Sequence, residues 1–267
     1  NIVLDYLFIA VLRWGIGGAA VATGLGYSIT AIVGLLVFSN RNSLLHFVRP
    51  VCRPQTLGRA VTNGCSEMAT ALVNGIITLM FNWTMLKYVG EDGVAAITII
   101  SYVLAFAGSL YAGYAYGVAP MLSFYYGEQN HEKLRKLVRT SLKIIGAIAA
   151  ATVLVSLAVT EPLVSIFARP GTPVYDLAVA GNRICSLALL FVGFNIFASG
   201  MFTALSNGLI SAVLAFSRTF VFTLIAMLVL PVILGVTGIW LATPAAELAA
   251  VVLSAVMLLK YRRRYCY

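Results

Sequence analysis

Apolar runs long enough to cross a bilayer follow one another along this entire chain, and nothing else about it limits the fold so sharply. A helix needs about 20 apolar residues to span the hydrocarbon core. Such runs read at about 17–38, 60–88, 94–126, 137–160, 177–204, 208–234 and 236–259, with a partial one at 1–12. In lipid the backbone must satisfy its own hydrogen bonds, so runs of this kind are helices. A membrane β-barrel would show short alternating segments instead. Only 10% of the 267 residues are charged, against roughly a quarter in a soluble domain. Gly and Ser recur inside the runs, as close packing of membrane helices requires. The expectation is an all-α polytopic membrane protein, multi-pass in the plasma (inner) membrane.

The bases set its orientation. Arg41, Arg49, Arg53 and Arg59 fall between two runs; Lys133, Arg135, Lys136, Arg139 and Lys143 follow another. Lys260, Arg262, Arg263 and Arg264 close the chain, and Arg218 is read as lying near the remaining turn on that side. Alternate connections hold only Arg13, Lys87, Arg169 and Arg183, beside Glu91, Asp92, Glu161 and Asp176. Excess Lys and Arg marks the cytoplasmic side, which puts the C-terminus inside and the Gly90–Gly93 turn outside. Because these charges punctuate helices and form no patch, a nucleic-acid partner is not expected. Cys52, Cys65, Cys185 and Cys266 form no CxxC, and His46 and His131 stand alone, so neither a metal centre nor a disulfide framework is expected. No Walker sequence or nucleophile–base pairing is present, and no cofactor or enzyme activity is expected.

The first residues read as the second half of a span ending near Arg13 and Trp14, without initiator Met or signal peptide, so an upstream segment is expected. Gly15-Ile-Gly-Gly18-Ala-Ala-Val-Ala22-Thr23 is echoed by Gly235-Val-Thr-Gly238-Ile-Trp-Leu-Ala242-Thr243, each opening a span. Internal repeats are common in secondary transporters, whose sites lie between the copies. A six-helix unit from about Leu57 to Lys260 then implies a first copy beginning roughly 160 residues before Asn1.

Ionisable residues inside spans are expensive and mark ion or substrate paths. Asn1 and Asp5 are four apart and share one helix face. Hard cations take oxygen ligands, and Thr23 on the next helix offers a hydroxyl. Asp5 as a local cap near a helix break is the plainer alternative. In the 60–88 run, Asn63, Glu67, Thr70, Asn74, Thr78 and Asn82 recur at spacings of 4, 3, 4, 4 and 4, one polar stripe on a helix. Interhelical hydrogen bonding explains the Asn and Thr residues equally well, but Glu67 in a dry setting is suited to holding a proton or facing a cationic substrate. Asn195, Ser199 and Thr203 form another one-face stripe without a mid-membrane acid. Tyr111, Tyr114, Tyr116, Met80 and Phe81 are candidates for cation–π or lipophilic contact.

Asn1-Ile-Val-Leu-Asp5-Tyr-Leu-Phe-Ile with Gly17-Gly-Ala-Ala-Val-Ala-Thr23 resembles the junction of helices five and six in MATE (multidrug and toxic compound extrusion) transporters. Asn63-Gly-Cys-Ser-Glu67 with Asn82 resembles their seventh helix, and Gly117-Val-Ala-Pro120-Met-Leu-Ser-Phe-Tyr-Tyr126-Gly127 the end of the eighth. The resemblance implies twelve helices in two lobes, of which about seven and a half are present. Residues 1–40 would end the N-lobe, 41–58 form a basic inter-lobe loop, 59–260 the C-lobe and 261–267 a basic tail. It further implies a monomer, when full length, that exports organic cations in exchange for H+ or Na+. Asn1, Asp5 and Thr23 match the family's N-lobe cation or proton site, which also uses an acid on helix one. Glu67 matches its helix-seven glutamate, with Asn63, Thr70, Asn74, Asn195, Tyr111 and Tyr114 as further substrate contacts. The tenth helix departs from the pattern by lacking the usual carboxylate, which shifts coupling toward the N-lobe; any Na+ site is expected at Asn1, Asp5 and Thr23. The alternative is a flippase for lipid-linked oligosaccharides of the same superfamily, disfavoured because Lys and Arg map to loops and helix ends.

Overall fold

The computed structural model describes residues 1–40, 46–47 and 54–265, with backbone alone at 55–71 and 263. All regular structure among these residues is helical. The chain divides into two units, Asn1–Asn63 and Gly64–Tyr267.

The first unit opens with α1 (Ile2–Val11), whose Tyr6–Val11 portion is wound as a π-helix. The chain then reverses through Arg13 and Gly15, both at positive φ, into α2 (Gly15–Ser39). The reversal is held locally: Trp14 N donates to the Phe8 carbonyl at 2.9 Å, and the two rings stack at 5.1 Å. Gly18 lies beneath them, where a Cβ would stand 3.1 Å from the Phe8 carbonyl oxygen.

α3 runs over Pro54–Tyr88 and carries the 60–88 run. In the second unit it is followed by α4 (Glu91–Gly127), α5 (His131–Ala158) and the short α6 (Thr160–Phe167). Then come α7 (Pro173–Ala204), α8 (Gly208–Leu234) and α9 (Val236–Tyr265). Starts are set by polar caps: Asn130 accepts from Lys133 N, Thr172 from Tyr175 N ahead of Pro173, and Asn207 from Ile210 N. Because these caps lie outside the apolar runs, α5 and α7 begin several residues before the runs at 137 and 177. Among the described residues six helices are long and apolar enough to span a membrane: α2, α4, α5, α7, α8 and α9. The protein is a multi-pass membrane protein.

α7 is the central helix of the second unit, packed against α4, α5, α8 and α9. Its Phe197, Ala198, Met201 and Phe202 are buried with Leu122, Leu134, Val138 and Ile145. Small residues let the helices close up: a Cβ on Gly193 would meet the Tyr111 ring at 2.6 Å and Ile145 at 2.9 Å. Midway, α7 tightens into a 3-10 turn at Ser186–Ala188, where a buried polar cluster joins it to α5 and α6. Ser156 and Ser186 hydroxyls meet at 2.7 Å, and Asn182 donates to Thr160 Oγ1 at 2.9 Å.

The sequence echo has a structural counterpart. Gly15 and Gly235 share a φ of 59°, a left-handed turn that glycine adopts without steric cost. Gly238, like Gly18, is pressed against a carbonyl of the preceding helix, here Leu230. Ala22 and Ala242 are both fully buried. Each repeat opens its helix with the same backbone device.

Candidate functional site

On α1, Asp5 follows Asn1 by one turn, its N–H donating to the Asn1 carbonyl at 2.8 Å. Asp5 is half-buried; Asn1 and Thr23 are exposed. Asn1 Oδ1 lies 3.6 Å from the point a Cβ on Gly26 would take, one turn beyond Thr23, so Asn1 faces the side of α2 that carries Thr23. No side-chain hydrogen bond or ion pair commits Asn1, Asp5 or Thr23 to another described residue. Their oxygens are available to a ligand.

The side chains of Asn63, Glu67 and Thr70 lie outside the described residues. Lower on the same stripe, Asn74 is exposed, and its carbonyl accepts the Thr78 hydroxyl at 2.9 Å. Thr78 and Asn82, with Ile77 and Phe81, line a cleft of about 220 Å³ completed by Ser101 and Leu104 of α4 and Thr243 of α9. Thr78 and Asn82, for which interhelical hydrogen bonding is the alternative reading, thus border open space together with the hydroxyls of Ser101 and Thr243.

Tyr111 and Asn195 turn out otherwise. Tyr111 is 2% exposed; its hydroxyl donates to the Leu189 carbonyl at 2.8 Å and meets Thr152 Oγ1 at 2.6 Å. Tyr114 is half-buried and donates to Ser141 at 3.1 Å. Asn195 is 2% exposed, and its amide donates to the Glu247 carboxylate at 2.7 Å and the Glu247 carbonyl at 3.0 Å. Ser254 donates to Asn195 Oδ1 at 3.0 Å. Ser199 and Thr203 contact Ser211 at 3.0 and 2.7 Å. The stripe exists, but it is engaged by α8 and α9. The polar atoms of Asn195 and Tyr111 are thus engaged by partners within the bundle.

The centre of that network is an ion pair. Arg218 Nε donates to both carboxylate oxygens of Glu247, at 2.8 and 3.0 Å. This corrects the placement of Arg218 near a turn: it sits ten residues into the Gly208–Leu234 span, about 15 Å from its start at helical rise. Glu247 lies at a comparable depth in α9, so the two charges meet. Arg218 belongs to a π-wound stretch, Ser217–Phe222, and its carbonyl accepts the Thr223 hydroxyl at 3.1 Å. One charged residue inside each of two apolar spans was the available sequence signal. Pro244, also in α9, has no N–H for the Trp240 carbonyl four residues back; the Cys185 thiol donates to that carbonyl at 3.3 Å.

Together these features define a multi-pass all-helical membrane protein that holds ionisable groups within its spans. The chain belongs to the MatE family, whose profile matches residues 68–229. It is 23% identical over 266 residues to the multidrug export protein MepA of Staphylococcus haemolyticus (strain JCSC1435), covering 99% of this chain and 58% of that protein. The same-named protein of Staphylococcus saprophyticus is 21% identical over 269 residues, with the same coverages. The chain thus spans 58% of the length of these curated relatives. Its fold matches the inward-facing conformation of a multidrug resistance MATE family transporter of the MOP superfamily, with a TM-score of 0.84 and 24% identity over 99% of this chain and 61% of that one. A MOP superfamily transporter from Pyrococcus furiosus matches at 0.81 and 23% over 99% and 60%. At these identities the structural likeness establishes a MATE-type fold.

Proposed function

We propose that this chain is part of a secondary active multidrug exporter that antiports organic cations against H+ or Na+ by alternating access. The reading is supported by family membership and by the two relatives that are named multidrug export proteins. One observation supports the coupling step: Asp5 is half-buried in an apolar helix and has no side-chain partner among the described residues. In this reading Asn1, Asp5 and Thr23 supply oxygens for the coupling ion, while Glu67, Asn63, Thr70, Asn74 and Tyr114 receive the drug. Ion binding at Asp5 favours the state that releases drug outside, and by reciprocity each ligand weakens the other's binding. The protein lies in the plasma membrane as a monomer with its C-terminus in the cytoplasm, since the basic ends of α5 and α9 follow the positive-inside rule. Residues 1–40 then close the N-lobe, 41–58 link the lobes, 59–260 form the C-lobe and 261–267 the tail. The flippase reading needs basic side chains available for phosphates; Arg218, which does lie within a span, is neutralised by Glu247.

The test is ethidium efflux from cells or vesicles that carry the complete protein and an imposed ion gradient. Asp5→Asn is expected to abolish gradient-driven efflux while leaving expression intact. Efflux at the wild-type rate in that variant removes Asp5 from the coupling mechanism.

A further inference from the structure

Where α5 begins and α9 ends, Arg135, Arg139 and Arg262 surround a cleft of about 270 Å³ floored by Val138, Leu142, Leu258 and Leu259. Arg135 and Arg139, Val138 and Leu142, and Leu258 and Arg262 are each one helical turn apart. Cations therefore sit toward the helix ends and leucines deeper along the spans. All three arginines are exposed, and none makes an ion pair or side-chain hydrogen bond with a described residue. That sets them apart from Arg183 and Arg218, which are matched by Glu161 and Glu247. No carboxylate is among the described residues that line the cleft, and Lys136, Lys143, Lys260 and Arg264 on the same helix ends add to its positive field.

We propose that this cleft is a binding site for one anionic phospholipid, its phosphate held by Arg139, Arg262 and Arg135 and an acyl chain lying on Leu142, Leu258 and Leu259. Guanidinium groups match phosphate oxygens in bidentate geometry. Basic pockets between membrane helices recognise anionic headgroups in this way. The apolar floor favours lipid over a soluble anion: a free phosphate has no use for three leucines, whereas an acyl chain continues along them into the bilayer. The site depends on the arginines and leucines alone and stands apart from the efflux reading.

Native mass spectrometry of the complete protein, titrated with chain-matched phosphatidylglycerol and phosphatidylcholine, tests the site. The wild type is expected to retain phosphatidylglycerol roughly tenfold better, in keeping with the per-cation attraction to anionic lipid. Arg139→Gln with Arg262→Gln should erase that preference, while Lys136→Gln with Lys143→Gln, which removes equal charge outside the cleft, should keep it. If the first pair does not fold, Leu142→Trp fills the floor with every arginine present and is expected to give the same loss. Equal retention of both lipids by the wild type, or equal losses in the two charge variants, overturns the proposal. So does displacement of the bound lipid by inorganic phosphate at matched concentration, which would identify a soluble-anion site.

Discussion

Glu247 and Arg218 depend on each other, because each charge is costly in a span without its partner. Their side chains are 11% and 24% exposed, so water relieves little of the charge. Replacing Arg218 by Met leaves a carboxylate with only Asn195 for a partner. Breaking a buried pair costs about 3–5 kcal/mol; with Arg218 partly exposed, a loss of about 3 kcal/mol is expected on thermal unfolding of the complete protein in detergent. The double variant Arg218→Met, Glu247→Leu should recover most of that loss, since no charge is then stranded. Equal destabilisation by the single and the double variant would show that Arg218 matters through packing and not through its charge.

Among the elements, α7 is the one whose surface tolerates least, being covered on several sides at once. Gly193 faces the Tyr111 ring and Ile145 at distances no Cβ can occupy, whereas a Cβ on Gly200, two turns on, would meet Ala115 at an ordinary 3.8 Å. Gly193→Ala is expected to destabilise by about 1–3 kcal/mol through overpacking, and Gly200→Ala to be near neutral or slightly stabilising. Melting curves of the two variants check this; similar shifts would mean that α4 and α7 slide apart freely. The elements themselves were largely legible beforehand. The runs at 94–126, 208–234 and 236–259 became α4, α8 and α9 nearly as drawn, because apolar length alone selects a helix in lipid. α5 and α7 start ahead of the runs at 137 and 177, because their first turns are polar and are begun by Asn130 and Thr172 outside the runs.

For the whole molecule, the prediction concerns selectivity. In the proposed exporter, a counter-charge role for Glu67 predicts that Glu67→Gln in the complete protein weakens export of cationic substrates several-fold more than that of neutral ones, in line with the loss of one charge–charge contact. Competition assays with a matched cationic and neutral pair measure it; equal losses on both would leave Glu67 a structural residue. The polar stripes explain why the candidate site was only partly legible. Asn195, Ser199 and Thr203 share one face, as their spacing predicts, yet that face meets Ser211 of α8 and Glu247 of α9. Thr78 and Asn82 fit interhelical hydrogen bonding as well by their spacing, yet they border a cleft with Ser101 and Thr243. Helical spacing says which residues look the same way and is silent on what stands opposite.

What the sequence determined by itself is the class of fold: a multi-pass helical protein with a repeated glycine-opened helix at Gly15 and Gly235. The bilayer makes this possible, since it admits segments by length and apolarity, both properties of consecutive residues. Only the tertiary structure decided which polar groups are spent and which are free. Asn195 and Tyr111 are consumed by partners 52 and 78 residues away, and Arg218 is neutralised by an acid 29 residues distant. Asp5 and the arginines of the α5–α9 cleft have no ion-pair partner among the described residues. Pairing depends on the depth and rotation at which packed helices meet, and those are set by side-chain fit between helices and not by order along the chain.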